Sequence, residues 1–210
     1  MGIFEYGYNI ILNKYLNNTR KTEELKCQSI DSTFIEDING CKEASYDGIH
    51  KKRKGELSKG IKITTIVTNN GIPLSVNIDS ANRYDSTLLI KAVNNRIINC
   101  NTNKYRKHNR YKQYFLGDKG YDSKKNHNFL ITKGYIPLIA QNKRNIKNKC
   151  LLRTFNKKQK KIYKRRHIVE NYHSWLKKFK KIKCLYERKM ENFKGLLFIG
   201  LSMIVSKRIS

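Results

Sequence analysis

Gly60–Ile78, GIKITTIVTNNGIPLSVNI, is the stretch that decides the fold. Gly60–Thr68 alternates apolar and polar residues and is rich in β-branched side chains, which predicts a strand. Asn69-Asn70-Gly71 is a strong turn signal, and Ile72–Ile78 returns as a second strand, so the segment reads as a β-hairpin. Pro73 is tolerated because it stands at the first residues of its strand. Upstream lies a polar loop over Lys42–Lys59. It contains the basic knot Lys51, Lys52, Arg53 and Lys54, open to three readings: a solvated loop, a phosphate contact or a nuclear-import signal. Before that, Leu25–Ile35 reads as a strand with Asp31 near its middle, and residues 3–16 carry apolar side chains at helical spacing, weakened by Gly7.

Downstream of the hairpin the pattern alternates. Asp85-Ser86-Thr87 is expected to cap a helix running to about Asn95. An Asn-rich basic connector covers residues 99–113. Tyr114–Leu116 is a short strand ending at Gly117-Asp118, and Asp122 is expected to cap a helix through about Thr132. Gly134 stops that helix, and Tyr135–Ala140 is another buried strand. Gln141–Lys161 reads as a basic, mobile segment. A long helix from about Gln159 to Lys180 and a final helix from about Glu191 to Lys207 complete the chain. A hairpin followed by alternating helices and strands predicts an α/β fold, a mixed sheet covered by helices.

Composition narrows the partners. At 210 residues with 39% hydrophobic side chains, the chain is expected to be one domain, or one domain with a small appendage. Its formal net charge of +29 attracts phosphate polymers or anionic surfaces. The longest apolar run, Leu196–Val205, is too short to span a bilayer and contains Gly200 and Ser202, so no membrane partner is expected and nucleic acid is favoured. Cys27, Cys41, Cys100, Cys150 and Cys184 are odd in number and have no zinc-ligand spacing, which predicts reduced thiols in an intracellular protein.

Acids are scarce enough for their positions to carry information. Between Ser123 and Tyr186, Glu170 is the only carboxylate among twenty Lys and Arg residues. Asp31 sits in the first strand and Asp118 at the end of a later one, where open α/β sheets tend to bind ligands. Two strand carboxylates and one helix carboxylate can hold two hard divalent cations, and such a pair stabilises both the attacking and the leaving oxygen of a phosphodiester displacement. Each acid also has an ordinary reading: Asp31 on an exposed strand face, Asp118 in a turn, Glu170 paired with Arg166 one helical turn back. Asp85 and Asp122 are assigned to caps and Asp79 to a turn. At about 100° per residue, Tyr163, Arg166, Glu170 and Lys177 fall within about 60° on one helix face and span about 21 Å. Ile162, Ile168, Val169, Tyr172, Trp175, Leu176 and Phe179 occupy the other side, nearly opposite Glu170.

The spacing Y-x2-R-x3-E-x6-K, here Tyr163, Arg166, Glu170 and Lys177, resembles the signature of DDE transposases from bacterial insertion sequences, the insertion-sequence-4 and -5 groups. Other segments agree in order: Asp31-Ser32-Thr33; Gly60-x-Lys62 through Gly71-x-Pro73-Leu74; Ala81-Asn82-x-x-Asp85; Gly117-Asp118-x-Gly120-Tyr121-Asp122; Arg166-x-x-Val169-Glu170; and Arg188. The resemblance implies a ribonuclease H-like mixed sheet flanked by helices, with a helical C-terminus. It divides the chain into a helical N-terminal remnant and linker over 1–24 and a catalytic domain over 25–207. It implies divalent-metal-dependent cleavage at transposon ends and strand transfer into target DNA, with two Mg2+ (or Mn2+) ions held by Asp31, Asp118 and Glu170. Tyr163, Arg166 and Lys177 are then expected to contact the DNA end, and Lys51, Lys52 and Arg53 to contact phosphates. Implied partners are double-stranded DNA, as transposon ends and target, and a second copy in a homodimer. The location would be DNA-associated, in the cytoplasm or nucleoid, or in the nucleus of a eukaryotic host.

Two departures stand out. Only thirty residues precede Asp31 where the family usually carries a longer helical region. The chain is therefore expected to be the second half of a frameshifted transposase, partnered by an N-terminal half from a separate frame, or a decayed remnant. Tyr84 stands where the family commonly has His. The alternative to catalysis is a decayed or partial transposase acting only as a basic DNA-binding protein. A nuclease of the same fold acting on RNA rests on fold analogy alone.

Overall fold

The hairpin is the widest part of a seven-stranded mixed sheet. Its strands, β3 (Leu57–Val67) and β4 (Pro73–Ser80), pair antiparallel, and Gly71 takes the left-handed backbone that closes the turn, with φ 80°. β1 (Cys27–Asp37) lies antiparallel along the other side of β3, with Asp31 opposite Thr65. β5 (Tyr114–Gly117) and β6 (Ile136–Ile139) continue the sheet in parallel with β1. This computed structural model describes residues 2–18, 21–51, 55–96, 112–142 and 154–209.

Helices cover the sheet. In chain order they are α1 (Ile3–Asn18), α2 (Lys21–Glu24), α3 (Asp85–Asn94), α4 (Lys124–Thr132), α5 (Lys157–Tyr163), α6 (His167–Leu176), α7 (Lys180–Lys183) and α8 (Met190–Ser206). α6 packs on β1 and β3 through Val169, Tyr172 and Leu176, all fully buried. α1 packs along α8, where Tyr8 and Leu12 are inaccessible to solvent and Tyr8 donates to the Pro73 carbonyl at 2.5 Å. The buried residues of α1, the sheet, α6 and α8 form one continuous core.

Several expectations are corrected. The polar loop at 42–59 contains β2 (Ser45–Lys51), an exposed edge strand joined to β3 at Gly60 and Lys59, with Lys51 opposite Leu57. Its side chains are mostly exposed, so no buried face imposed the alternation by which strands are recognised. Lys52 and Arg53 lie outside the described residues, as do Cys100 and Cys150. β7 (Cys184–Leu185) is two residues long and pairs with Glu36 and Asp37 of β1. The expected single helix over 159–180 is instead α5, a 3-10 turn at Lys164–Arg166, and α6. It starts earlier because Asn156 and Gln159 form a capping box, each side chain accepting from the other's backbone N–H. It ends at Leu176, and Lys177 is the residue after the last turn. Neither expected Asp cap is used: Ser123 caps α4 by accepting from Asn126, and α3 has no side-chain cap.

Candidate active site

The position of the site follows from an interruption in the sheet. On the side of β1 away from β3, β5 pairs as far as Ser29, opposite Leu116, and β7 resumes only at Glu36. Among the described residues no strand flanks β1 between these points, and β1 changes from buried to half-buried at Asp31. Asp31 and Asp118 each follow the Ser29–Leu116 pair by two residues. Because side chains alternate along a strand, the two acids stand in step on neighbouring strands, Asp31 within β1 and Asp118 just past the end of β5.

The α5–α6 run covers this opening. Tyr163 is anchored to the end of β5 by its hydroxyl, which donates to the Gly117 carbonyl at 3.2 Å. Arg166 enters between the acids: its guanidinium donates to Glu170 at 2.5 Å and lies 4.0 Å from Asp31. The ion pair that helical spacing suggested for Arg166 and Glu170 is therefore present, and it also reaches the first strand. Burial disfavours the charged form of Arg166, but Glu170, Tyr163, Asp31 and Asp118 raise its pKa above the ordinary value.

Asp31 carries the strongest carboxylate perturbation. Burial pushes it up to about 6; the Ser32 backbone N–H and Arg166 pull it down, while Asp85 and Glu170 push it further up. Beneath it, the fully buried Tyr121 hydroxyl bonds Ser32 at 2.7 Å, and Ser32 bonds Thr64 at 2.9 Å. Burial raises the Tyr121 pKa well above its ordinary value, and the charges of Asp85, Asp31 and Asp118 add to that. The part-buried Arg166 thus links Glu170 to the neighbourhood of Asp31, and Asp118 acts on both Arg166 and Tyr121 through its charge.

Lys177 stands apart from this group. It is half-buried beside His173 and Cys184, and burial lowers its pKa. The helical row therefore contributes Tyr163, Arg166 and Glu170 to the site, while its last member faces the far end of β1. Asp79 is an interior residue of β4 that ties it to α3 through Lys91, at 2.5 Å, rather than a turn residue. Asp122 pairs with His127 at 3.0 Å and accepts the Asn142 N–H.

Asp85 was underrated by sequence reasoning. It pairs with Lys62 at 3.1 Å and sits so close under the loop after Asp118 that a Cβ on Gly120 would lie 3.0 Å from its carboxylate. Lys62 and Gly120 were motif residues without a role, and Asp85 was assigned only to a cap. Their spacing carried the signal, but only the fold shows that they meet.

Three comparisons bear on this geometry. The family profile described as Transposase DDE domain matches residues 23–205. No curated protein matches the sequence. Among solved structures, the piggyBac transposase synaptic complex with hairpin DNA shares 12% identity and a TM-score of 0.53, over 86% of this chain and 46% of that one. The catalytic domain of Mos1 mariner transposase shares 11% identity over 86% of this chain and 91% of that one, with a TM-score of 0.38. The Mos1 mariner paired end complex with Mn shares 13% identity over 97% and 60%, with a TM-score of 0.37. The chain thus spans less than half the length of the piggyBac protein. The fold is of the expected ribonuclease H-like class: a mixed sheet in the order β2-β3-β1-β5-β6, flanked by helices.

Proposed function

The chain belongs to the transposase DDE domain family, and from that premise we propose that it cleaves phosphodiester bonds at transposon ends and transfers the freed strand into target DNA. What supports this reading is that Asp31 on β1 and Asp118 after β5 each follow the Ser29–Leu116 pair by two residues, while Arg166, paired with Glu170 at 2.5 Å, also lies 4.0 Å from Asp31. Carboxylates that already hold a cation supply the all-oxygen donors that suit Mg2+ or Mn2+. Among the described residues no three acidic, His or Cys side chains converge within metal-ligand distance, and Glu170 is turned toward Arg166. Glu170 is half exposed, so it can be exchanged between Arg166 and an ion.

In this reading Asp31, Asp118 and Glu170 hold two ions, which when bound supply charge stabilisation for the attacking and leaving oxygens. Arg166, which here donates to Glu170, carries the planar guanidinium fork that would suit bidentate contact with a phosphate. Tyr163 fixes the helix over β5 and offers its ring edge to the DNA end. Lys177 and Lys51–Arg53 serve as outlying backbone contacts. Partners are double-stranded DNA and a second copy of the chain; the location is DNA-associated and intracellular.

The test is nicking of supercoiled plasmid in Mg2+ or Mn2+ against an EDTA control. Asp31→Asn, Asp118→Asn and Glu170→Gln should each lower the rate by about 10²–10³-fold, the scale of losing one electrostatic stabiliser. Equal cleavage by wild type and Glu170→Gln rejects Glu170 as a catalytic residue. Salt-sensitive DNA binding that is unaffected by Asp31→Asn, with no metal-dependent product, supports the alternative of a decayed transposase that only binds.

A further inference from the structure

At the opposite end of the same two parallel strands lies a cleft of about 490 Å³ lined by Lys26, Lys112, Lys158, Lys161 and Arg165, with Cys27, Tyr114 and Ile162 among its walls. Two elements build it. Lys26 immediately precedes β1 and Lys112 lies just before β5, and the Lys26 carbonyl accepts the Tyr114 N–H at 2.8 Å, so these two lysines share one sheet edge. Lys158, Lys161 and Arg165 recur at helical spacing along α5 and the following turn, which sets them on one face above that edge. A small apolar cluster that includes Cys27, Tyr114, Ile162 and Tyr163 holds the helix in place. No carboxylate lines the cleft, and among the described residues none of the five cations has an acidic partner. Five exposed like charges gathered around one concavity attract a polyanion, and Arg165 is steadied there by donating to Asn69 Oδ1 at 2.8 Å.

We propose that this cleft is a second DNA-backbone station, separate from the carboxylate site and taking phosphates of the same duplex about five base pairs away. The proposal rests on the functional reading above. The separation follows from the fold: Lys26 and Asp31 are five residues apart along the direction of β1, about 16 Å. At about 3.4 Å per base-pair step that is beyond the reach of one phosphate and within that of a short duplex. The cleft would thus set the register of the DNA across the carboxylates, through contacts that carry no base information.

The experiment is fluorescence anisotropy of a labelled DNA duplex over a salt series. It compares wild-type protein, Lys158→Ala/Lys161→Ala, and a control, Lys14→Ala/Lys194→Ala, that removes the same charge from exposed positions on α1 and α8. At about 0.9 per phosphate contact, the cleft variant should lower the slope of log affinity against log salt by about 1.8, with unchanged melting temperature, and the control should not. Equal slopes for wild type and cleft variant overturn the proposal, as do equal losses in cleft variant and control. Tighter binding of an RNA duplex of the same sequence overturns DNA as the occupant. A wild-type protein that shows the expected slopes but makes no metal-dependent nick leaves the cleft standing and overturns the catalytic reading instead.

Discussion

Asp31→Asn should make the metal-free protein more stable at neutral pH while removing its activity. The Asp31 side chain is a quarter exposed, and burial lifts its pKa from 3.8 to about 6. A carboxyl group whose pKa is higher folded than unfolded binds more protons in the folded state between those two values. Stability therefore falls as pH rises from about 4 to about 6 and stays lower above that. At 1.36 kcal/mol per pKa unit the full shift corresponds to about 3 kcal/mol, and allowing for residual solvent contact leaves about 2 kcal/mol at pH 7.5. Asparagine keeps the shape and can still accept the Ser32 N–H, but carries no charge to desolvate. Its one loss is the 4.0 Å approach of Arg166, a contact too long for a hydrogen bond. For a domain of this size, about 2 kcal/mol raises the melting temperature by about 4–8 °C. The assay is thermal unfolding of both proteins in EDTA at pH 7.5 and at pH 4.5. At pH 4.5 folded Asp31 is protonated while unfolded Asp31 is still mostly ionised, so about two thirds of the gap should close, which identifies the charge as its cause. Adding Mn2+ at pH 7.5 should raise the wild type and not the variant. A variant that melts below wild type in EDTA at pH 7.5, or a gap undiminished at pH 4.5, refutes the reasoning.

Other expectations follow from the same geometry. Arg166→Ala removes the cation that pulls the Asp31 pKa down, so the acid limb of the nicking rate should move to higher pH; an unmoved limb would separate Arg166 from Asp31. Gly60→Ala places a Cβ 2.3 Å from the Ile35 carbonyl oxygen and should cost about 1–3 kcal/mol by thermal unfolding. Gly200→Ala meets only the tip of Ile182, at 2.6 Å, and gains about 1 kcal/mol of helix propensity, so it should melt well above Gly60→Ala. Asn156→Ala abolishes the capping box of α5 and should lower stability by about 1 kcal/mol in the same melt. Asp85→Asn should lower the Asp31 pKa, read as an acid-side shift of the nicking profile, because Asp85 is one of the charges that raises it.

The strongly patterned segments were legible locally. The hairpin around Asn69-Asn70-Gly71, the buried strands ending at Gly117 and Ile139, and the apolar α8 all bury a face whose period is written in the chain. β2 and β7 were not legible: one is an exposed edge and the other two residues long, so neither needs a repeating apolar face. The α5–α6 run was legible as a helix but not its break. Its 3-10 turn at Lys164–Arg166 lies where the chain is drawn between the end of β5, held through Tyr163, and the β1–β3 face, held through Val169 and Tyr172.

The candidate site divides in the same way. Charge isolation singled out Glu170, strand position Asp31 and Asp118, and the family resemblance joined the three into one set. The same chain-level reading set Lys177 in line with Glu170, because it assumed an unbroken helix. The fold moved Lys177 to the Cys184 end of β1 and brought in Lys62, Asp85 and Tyr121. It also assembled a basic cleft from residues as far apart as Lys26, Lys112 and Lys161. By itself the sequence determined which elements form and which residues carry charge, because backbone propensity and amphipathic period are local. Which charges meet was decided only by tertiary structure: the gap left in β1 between β5 and β7, and the register of β1 against β5, are set by contacts between residues more than eighty positions apart.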